Sequence, residues 1–458
     1  MKNFVLLVTF IVLFAACAGS PLPKEENASI KSASVKVPSI VTDITYDFSG
    51  DIEAFLIAPD LEIENHILNR LKEKKVSHES VRNSLVKRSI NSNGQTGLQQ
   101  GIKLKHRGKT YSYARYAPDS EKRLPLIVIL HGMGGSGDNT VRKWSQRLGE
   151  KFIIICPTYP MGAWWSKTAE EIVLRLIQET QETYLVDQNR IFLSGLSNGA
   201  VGAFMIGMNY PDYFAGIIPI AGGIKERLMT FLVNLSNTPI YIIHGTKDPM
   251  FPIAYLRRVN KILSDMKYPV VFREHKESGM AHGGHFLPKA EITPMVAWLS
   301  LQERIVNPRV IRMTREKNHL TPIYWARVTK GKKMAALQIP GPEKETLNIQ
   351  NGKVATLFAT LRTENRIEIM GKNLIDYEIY LNSDMIDFSK SVTILNRQIV
   401  DKGNTLVPSD STIGFNGIVK KNLGVLLRSY KNRRDPNLMF DAMLSISMEP
   451  KTQIAWNQ

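Results

Sequence analysis

The chain has 458 residues and a formal net charge of +17, with 43% hydrophobic and 22% charged residues. That length exceeds one average domain, and this balance of apolar and charged residues excludes a disordered or low-complexity chain. A basic surface attracts anions, but Lys and Arg are spread along the sequence, and Lys72-Glu73-Lys74-Lys75 and Arg433-Arg434 are its densest spots. No nucleic-acid-binding motif accompanies them, so nucleic acid is not expected as a partner.

The chain begins with Met1-Lys2-Asn3, an apolar run over 4–16 and then Cys17-Ala18-Gly19-Ser20-Pro21. A short cationic start, an apolar core and small residues at its end read as a signal peptide over 1–18. The run is shorter than the roughly 20 residues that span a bilayer. Two processing routes fit. Phe14-Ala15-Ala16-Cys17 resembles a bacterial lipobox, which would leave Cys17 lipidated and attached to a membrane, although Phe14 stands where that pattern prefers Leu or Val. Ala16-Cys17-Ala18 also fits ordinary cleavage before Gly19. The lipoprotein is favoured, and both routes lead to a secreted, periplasmic or lipid-anchored outer-membrane protein. Cys156 is then the remaining cysteine, too few for a disulfide framework, and it reads as a small buried hydrophobe.

Residues 19–95 read as a tether followed by a helical extension. Apolar residues recur at helical spacing from Leu61 through Ile63, Ile67, Leu68 and Leu71, with a break at Lys74-Lys75 and a second helix over 79–88. From Ile102 the period changes. Segments 102–106 and 110–116 flank Arg107-Gly108-Lys109 as a hairpin. Short apolar runs at 126–130, 152–156, 190–194, 216–221, 240–244 and 270–274 then alternate with helical stretches at 169–184, 200–209, 253–267 and 292–301. Strands that stay apolar on both sides indicate a parallel sheet covered by helices, so an α/β domain is expected over 96–305. Past residue 306, alternating segments at 318–329, 334–339, 346–349, 366–370, 375–382, 391–395 and 438–448, with one helix at 420–430, read as a β-rich accessory domain, a small sandwich.

The chemistry concentrates between residues 131 and 285. Gly195-Leu196-Ser197-Asn198-Gly199 lies between a strand and a helix. There a sharp turn would strain the serine backbone while flanking glycines let neighbouring chain approach, which makes Ser197 the expected nucleophile. His131-Gly132-Met133-Gly134-Gly135 follows the 126–130 strand. Its turn can offer the Met133 N–H to an oxyanion beside the Asn198 N–H. The same glycines resemble a dinucleotide fingerprint, but the next strand ends at Cys156-Pro157-Thr158 without the acid that would hold a ribose. No cofactor is therefore expected. Asp248 follows the 240–244 strand and Gly245-Thr246-Lys247, where a carboxylate can orient a histidine. Asp187 precedes a strand and reads as structural. The base comes from the glycine-rich loop carrying His282 and His285. His285 is preferred because it leads into the last helix of the domain, and His282 is the alternative base. The pair lacks further ligands at useful spacing, so no metal is expected. Trp164-Trp165, in the loop after a central strand, are candidate substrate-binding residues and read equally well as packing residues.

In this combination the stretch from about 113 to 304 resembles an α/β-hydrolase of the secreted group that includes feruloyl esterases, polyhydroxybutyrate depolymerase-like proteins and phospholipase/carboxylesterase relatives. The resemblance rests on the His-Gly-x-Gly-Gly turn, Val186-Asp187-Gln188-Asn189-Arg190-Ile191 leading to Gly195-Leu196-Ser197-Asn198-Gly199, Tyr210-Pro211-Asp212-Tyr213-Phe214-Ala215-Gly216, His244-Gly245-Thr246-Lys247-Asp248 and Gly284-His285. It implies a serine ester hydrolase working through an acyl-enzyme on a small or polymeric ester. Members often carry Met after the nucleophile where this chain has Asn198, a departure that bears on the pocket lining. The region around Asn382-Ser383-Asp384-Met385-Ile386-Asp387-Phe388 is similar to a small β domain appended to some secreted bacterial hydrolases, a resemblance that transfers no role; polysaccharide enters as a partner only with the glycan-binding alternative below. Two alternatives stand beside this reading: a glycan-binding surface protein on a degenerate hydrolase scaffold, and a prolyl-oligopeptidase-type serine peptidase sharing the same chain order.

Overall fold

A computed structural model describes residues 46–88, 94–279, 282–337, 353–402 and 405–448. The signal peptide, the tether and the strand expected over 346–349 lie outside these residues. The N-terminal extension is three helices, α1 (Ser49–Ile57), α2 (Leu61–Glu73) and α3 (His78–Arg88). Asp60 caps α2 by accepting the Ile63 N–H at 3.0 Å, satisfying one of the donors that a helix start leaves free. The apolar stripes of these helices, with Phe55, Leu71, Val81 and Leu85 fully buried, do not face the α/β sheet. They pack against Leu426, Leu427 and Tyr430 near the other end of the chain.

The α/β part is an eight-stranded sheet in the order β1-β2-β4-β3-β5-β6-β7-β8. Its strands are β1 (Gly97–His106), β2 (Lys109–Ala117), β3 (Leu124–Leu130), β4 (Ile153–Thr158), β5 (Val186–Leu196), β6 (Gly216–Ile220), β7 (Ile240–Gly245) and β8 (Val270–His275). The β1–β2 hairpin turns on Arg107 and Gly108, both at positive φ (48° and 72°), as a two-residue type I′ turn requires. β2 runs antiparallel to β4, and β3 to β8 are mutually parallel. Both faces of β3 are buried: Leu126, Val128 and Leu130 enter one apolar cluster, Ile127 and Ile129 another. That is why these strands read as continuous apolar runs. The helices are α4 (Gly137–Leu148), α5 (Lys167–Thr183), α6 (Asn198–Asn209), α7 (Ile253–Asp265) and α8 (Ile292–Leu301).

Beyond residue 306 the chain builds β9 (Val310–Arg315), β10 (Ala326–Gly331), β11 (Ala355–Leu361), β12 (Arg366–Lys372), β13 (Leu374–Leu381), β14 (Val392–Lys402), β15 (Thr405–Pro408), β16 (Thr412–Gly417) and β17 (Ala442–Ser447), with α9 (Leu423–Arg433) before the last strand. They form two sheets, β10-β13-β17 and β15-β14-β12-β11-β9 with β16 on β14, around an apolar cluster of their own. The pairing is not wholly antiparallel, since β12 and β14 run parallel. Much of the 318–329 segment is irregular, with strand only from Ala326; beside and within it Arg315 and His319 reach the α/β part.

Those contacts are charged and buried. Arg304 meets Asp435 at 2.7 Å, and Arg433 meets Asp212 at 2.6 Å. Asp212 also accepts the Tyr324 N–H at 3.0 Å. The Arg315 guanidinium donates to the Asn209 and Thr321 carbonyls, and full burial pulls its pKa down to about 10. The His319 ring bridges Glu170, at 2.9 Å, and Glu316. Burial alone would lower its pKa, but the hydrogen bonds and charges of the two carboxylates outweigh desolvation and hold it above the ordinary imidazole value.

The sign follows from linkage. A raised folded-state pKa stabilises fully below the unfolded value and loses that contribution as pH climbs through the folded one. His319→Gln leaves two carboxylates buried with less compensation, so it should destabilise by about 3 kcal/mol at pH 6. The difference from wild type should narrow at pH 9. Denaturant unfolding at the two pH values checks this, and a gap that widens on the alkaline side would contradict the bridge.

Candidate active site

The site residues sit on the segments that leave the C-terminal ends of β3, β5 and β7, and on the loop between β8 and α8. Ser197 lies between β5 and α6 with φ 59° and ψ −120°, a backbone conformation that costs a non-glycine residue about 1–3 kcal/mol. Its surroundings enforce it. A Cβ on Gly195 would lie 2.2 Å from the Gly199 carbonyl oxygen, one on Gly199 2.1 Å from that of Leu130, and one on Gly222 2.5 Å from that of Ser197 itself. Strand, elbow and helix start thus touch backbone to backbone. The first N–H groups of α6 have no intrahelical acceptor, so the positive end of the helix faces the serine.

The turn after β3 is closed by the Gly135 N–H donating to the Gly132 carbonyl at 3.1 Å, with Gly134 at φ 70°. It lies against the nucleophile, since a Cβ on Gly132 would fall 3.2 Å from Ser197 Cβ. His131 holds this turn. Its Nε2 accepts the Tyr159 N–H at 3.1 Å, so its proton resides on Nδ1, which donates to the Gly132 carbonyl at 2.6 Å. Burial lowers its pKa and keeps the ring neutral, as that pair of bonds requires.

Asp248 and His285 are joined directly, with the His285 Nδ1 donating to Oδ2 at 2.9 Å. Oδ1 of Asp248 accepts the N–H groups of Met250, at 2.8 Å, and Phe251, at 3.0 Å. Interlocked glycines bring the two loops together. Gly283 sits at φ 55° with no room for a Cβ beside the Lys247 carbonyl, to which Gly284 donates at 3.0 Å, and Gly245 packs on Gly284. His282 points elsewhere: it is exposed, and only its carbonyl takes part, accepting the His285 N–H. Among the described residues Ser197 Oγ has no hydrogen-bond partner, so the serine and His285 are not joined at hydrogen-bond distance. In sites without substrate such contacts are commonly long.

Two features escaped the sequence. Phe251 stacks on His285, ring centroids 5.9 Å apart and planes 7° from parallel, while its N–H bonds Asp248. Fully buried His244 donates from Nε2 to the Phe251 carbonyl at 2.8 Å. Its ring also comes 3.6 Å from Asp248 Oδ2, but burial lowers its pKa, so this is a contact of a neutral ring and not an ion pair. His244 was legible as part of His-Gly-Thr-Lys-Asp, whereas nothing in the spacing marks Phe251.

Trp164 is a correction. It is fully buried, its Nε1 donates to the His131 carbonyl at 2.7 Å, and its ring meets His131 edge-on. An indole with both its polar atom and its faces committed offers nothing to a substrate, so it serves packing. Trp165 is half-buried against the same core. Cys156 is buried, and its thiol pKa is raised by desolvation. Asp187 accepts the Asn189 N–H at the opposite end of β5 from Ser197.

Residues 165–300 match the family described as Phospholipase/Carboxylesterase. An esterase named NocK of Nocardia uniformis subsp. tsuyamanensis is 25% identical over 32% of this chain and 47% of its own length. Poly(3-hydroxyalkanoate) depolymerase C of Paucimonas lemoignei is 28% identical over 22% of this chain and 28% of its own. Acyl-protein thioesterase 1 of Gibberella zeae is 22% identical over 36% and 86%. The chain thus spans less than half the length of the first two relatives.

Backbone approach at the elbow gives a direct test. Gly199→Ala should cost at least about 3 kcal/mol, because the clash is with backbone and cannot be relieved by a rotamer change. A melting temperature within a degree or two of wild type would contradict the packing described. The chain thus has an α/β-hydrolase fold, and within it residues 165–300 are similar to the phospholipase/carboxylesterase family.

Proposed function

We propose that this protein is a serine carboxylic ester hydrolase, in which Ser197 attacks the ester carbonyl and forms an acyl-enzyme. His285 takes the serine proton and returns it to the leaving alcohol, and Asp248 holds the ring in the tautomer that presents Nε2. The Met133 and Asn198 N–H groups receive the oxyanion, each such donor typically contributing about 3 kcal/mol to lowering the barrier. The observation that carries this reading is the 2.9 Å bond between Asp248 and His285 at the edge of the sheet where Ser197 is held at positive φ. Bonding to Asp248 favours His285 over His282 as the base.

The wider reading rests on sequence. The N-terminal pattern supports export, with Cys17 as a lipid anchor. The division into 1–18, 19–95, 96–305 and 306–458 is our working domain map. Ester substrates, small or polymeric, suit the carboxylesterase type.

A fluorophosphonate probe should label wild type and fail to label Ser197→Ala, which should also lose hydrolysis of p-nitrophenyl esters. Asp248→Asn should lower kcat about 10⁴-fold by favouring the wrong tautomer. His285→Ala should be inactive while His282→Ala retains activity. Labelling that persists in Ser197→Ala would end the assignment.

A further inference from the structure

We propose that Met161 and Met250, the former pinned by the Asn198 side chain, make an apolar rim that selects esters with an acyl group larger than acetyl. This rests on the reading of Ser197 as nucleophile. Among the described residues from 96 to 305, seven large apolar side chains are left exposed: Leu98, Leu301 and Ile305 lie elsewhere, and Met133 (57%), Met161 (62%), Met250 (60%) and Tyr255 (48%) lie on or just after the loops that carry the site. Met133 follows Gly132, which abuts Ser197, and the Met250 N–H is bonded to Asp248. Tyr255 opens α7 just beyond that loop. Exposed apolar surface gathered in one place marks a contact site, and methionine suits it because its unbranched, polarisable chain moulds to varied partners.

Met161 is held there against its preference. It sits at φ 55° and ψ 8°, left-handed geometry that disfavours a side chain. The Asn198 Nδ2 donates to its carbonyl at 3.0 Å, and the next residue, Gly162, packs on the Gly132 carbonyl with no more than contact distance to spare. The residue directly after the nucleophile therefore fixes the loop that carries the thioether. Its backbone N–H faces the oxyanion and its side chain sets the rim. A hydroxyl-rich acetylated sugar would press polar surface on these thioethers; an alkyl or aryl acyl chain would bury them.

The test compares kcat/KM for p-nitrophenyl octanoate and acetate. Wild type should prefer octanoate. Met161→Gln and Met250→Gln should each lower the octanoate-to-acetate ratio about 5-fold, the scale set by one or two methylenes losing an apolar partner. Met161→Leu should keep the ratio. Asn198→Ala should lower it, and adding Asn198→Ala to Met161→Gln should lower it little further, because both act through one side chain. Fluorophosphonate labelling is run on each protein. A wild type that is not labelled defeats the nucleophile assignment. A labelled wild type that prefers acetate, or labelled Gln variants with an unchanged ratio, defeats the rim and leaves the nucleophile standing.

Discussion

The site depends on one constraint: backbone must touch backbone where β5 turns into α6. Three Cβ positions there are forbidden by carbonyl oxygens at 2.1 to 2.5 Å, and the serine between them occupies a left-handed conformation. Strain of that kind persists only where the surroundings over-determine it. Here the Ser197 N–H donates to the Ile220 carbonyl at the end of β6, and the Ala200 and Val201 N–H groups return to the Ser197 carbonyl. The turn after β3 then rests on the elbow, so the serine and the candidate oxyanion donors are placed by the same contacts. Shifting one would shift the other.

Asp248 and His285 are organised by a second set of close approaches, and the histidines around them differ by environment. His285 is the one whose Nδ1 reaches a carboxylate. His244 and His131 are buried, with lowered pKa values, and each spends its ring on a backbone carbonyl. Neutral rings there avoid placing extra positive charge beside the base, which leaves the Asp248 charge to His285. His282 lies three residues from His285, exposed on the far side of the Gly283-Gly284 crossing. Phe251 ties the pair together by bonding the acid and stacking on the base.

How much of this the sequence disclosed follows from where the signal is local. The parallel strands were legible because both their faces are buried and they read as Val- and Ile-rich runs. Gly-x-Ser-x-Gly and the Arg107-Gly108 hairpin were legible because glycine and positive φ go together. α4 was missed, since its amphipathic stripe of Val141, Trp144 and Leu148 is thin and its first turn is polar. Strands β9, β11, β15 and β16 were also missed, and the 318–329 segment and the described part of 334–339 were read as strand where most of the first and all of the second are irregular. In that region side chains serve long-range ion pairs, which no period reveals. Trp164 was misassigned for the same reason: a loop position says nothing of burial, and its partner His131 lies on a different strand end. The destination of α1 to α3 was equally silent, because their amphipathic stripes do not name the distant helix they cover.

The β-rich part does more than follow the hydrolase part in the chain. Several of its contacts fall on Asn209, Asp212, Asn234 and Asn237, in the segments that lead into β6 and β7, whereas the site residues leave the other ends of the strands. These contacts support the sheet from the edge opposite Ser197, while His319 reaches Glu170 on α5. The support is structural in the strict sense. Leu337, Phe358, Ile399 and Leu406 join the same buried cluster as the hydrolase core, and Oδ2 of Asp212 accepts from both Arg433 and Tyr324. Asp212 belongs to the Tyr-Pro-Asp-Tyr-Phe stretch on which the family resemblance partly rests, yet here it anchors a second body of structure. Cutting at residue 306 would uncover apolar surface and strand a buried carboxylate, a cost of several kcal/mol by either route. Loss of activity on such a cut would consequently report loss of the scaffold, and any separate role of the β-rich part has to be tested by substitutions on its outer surface.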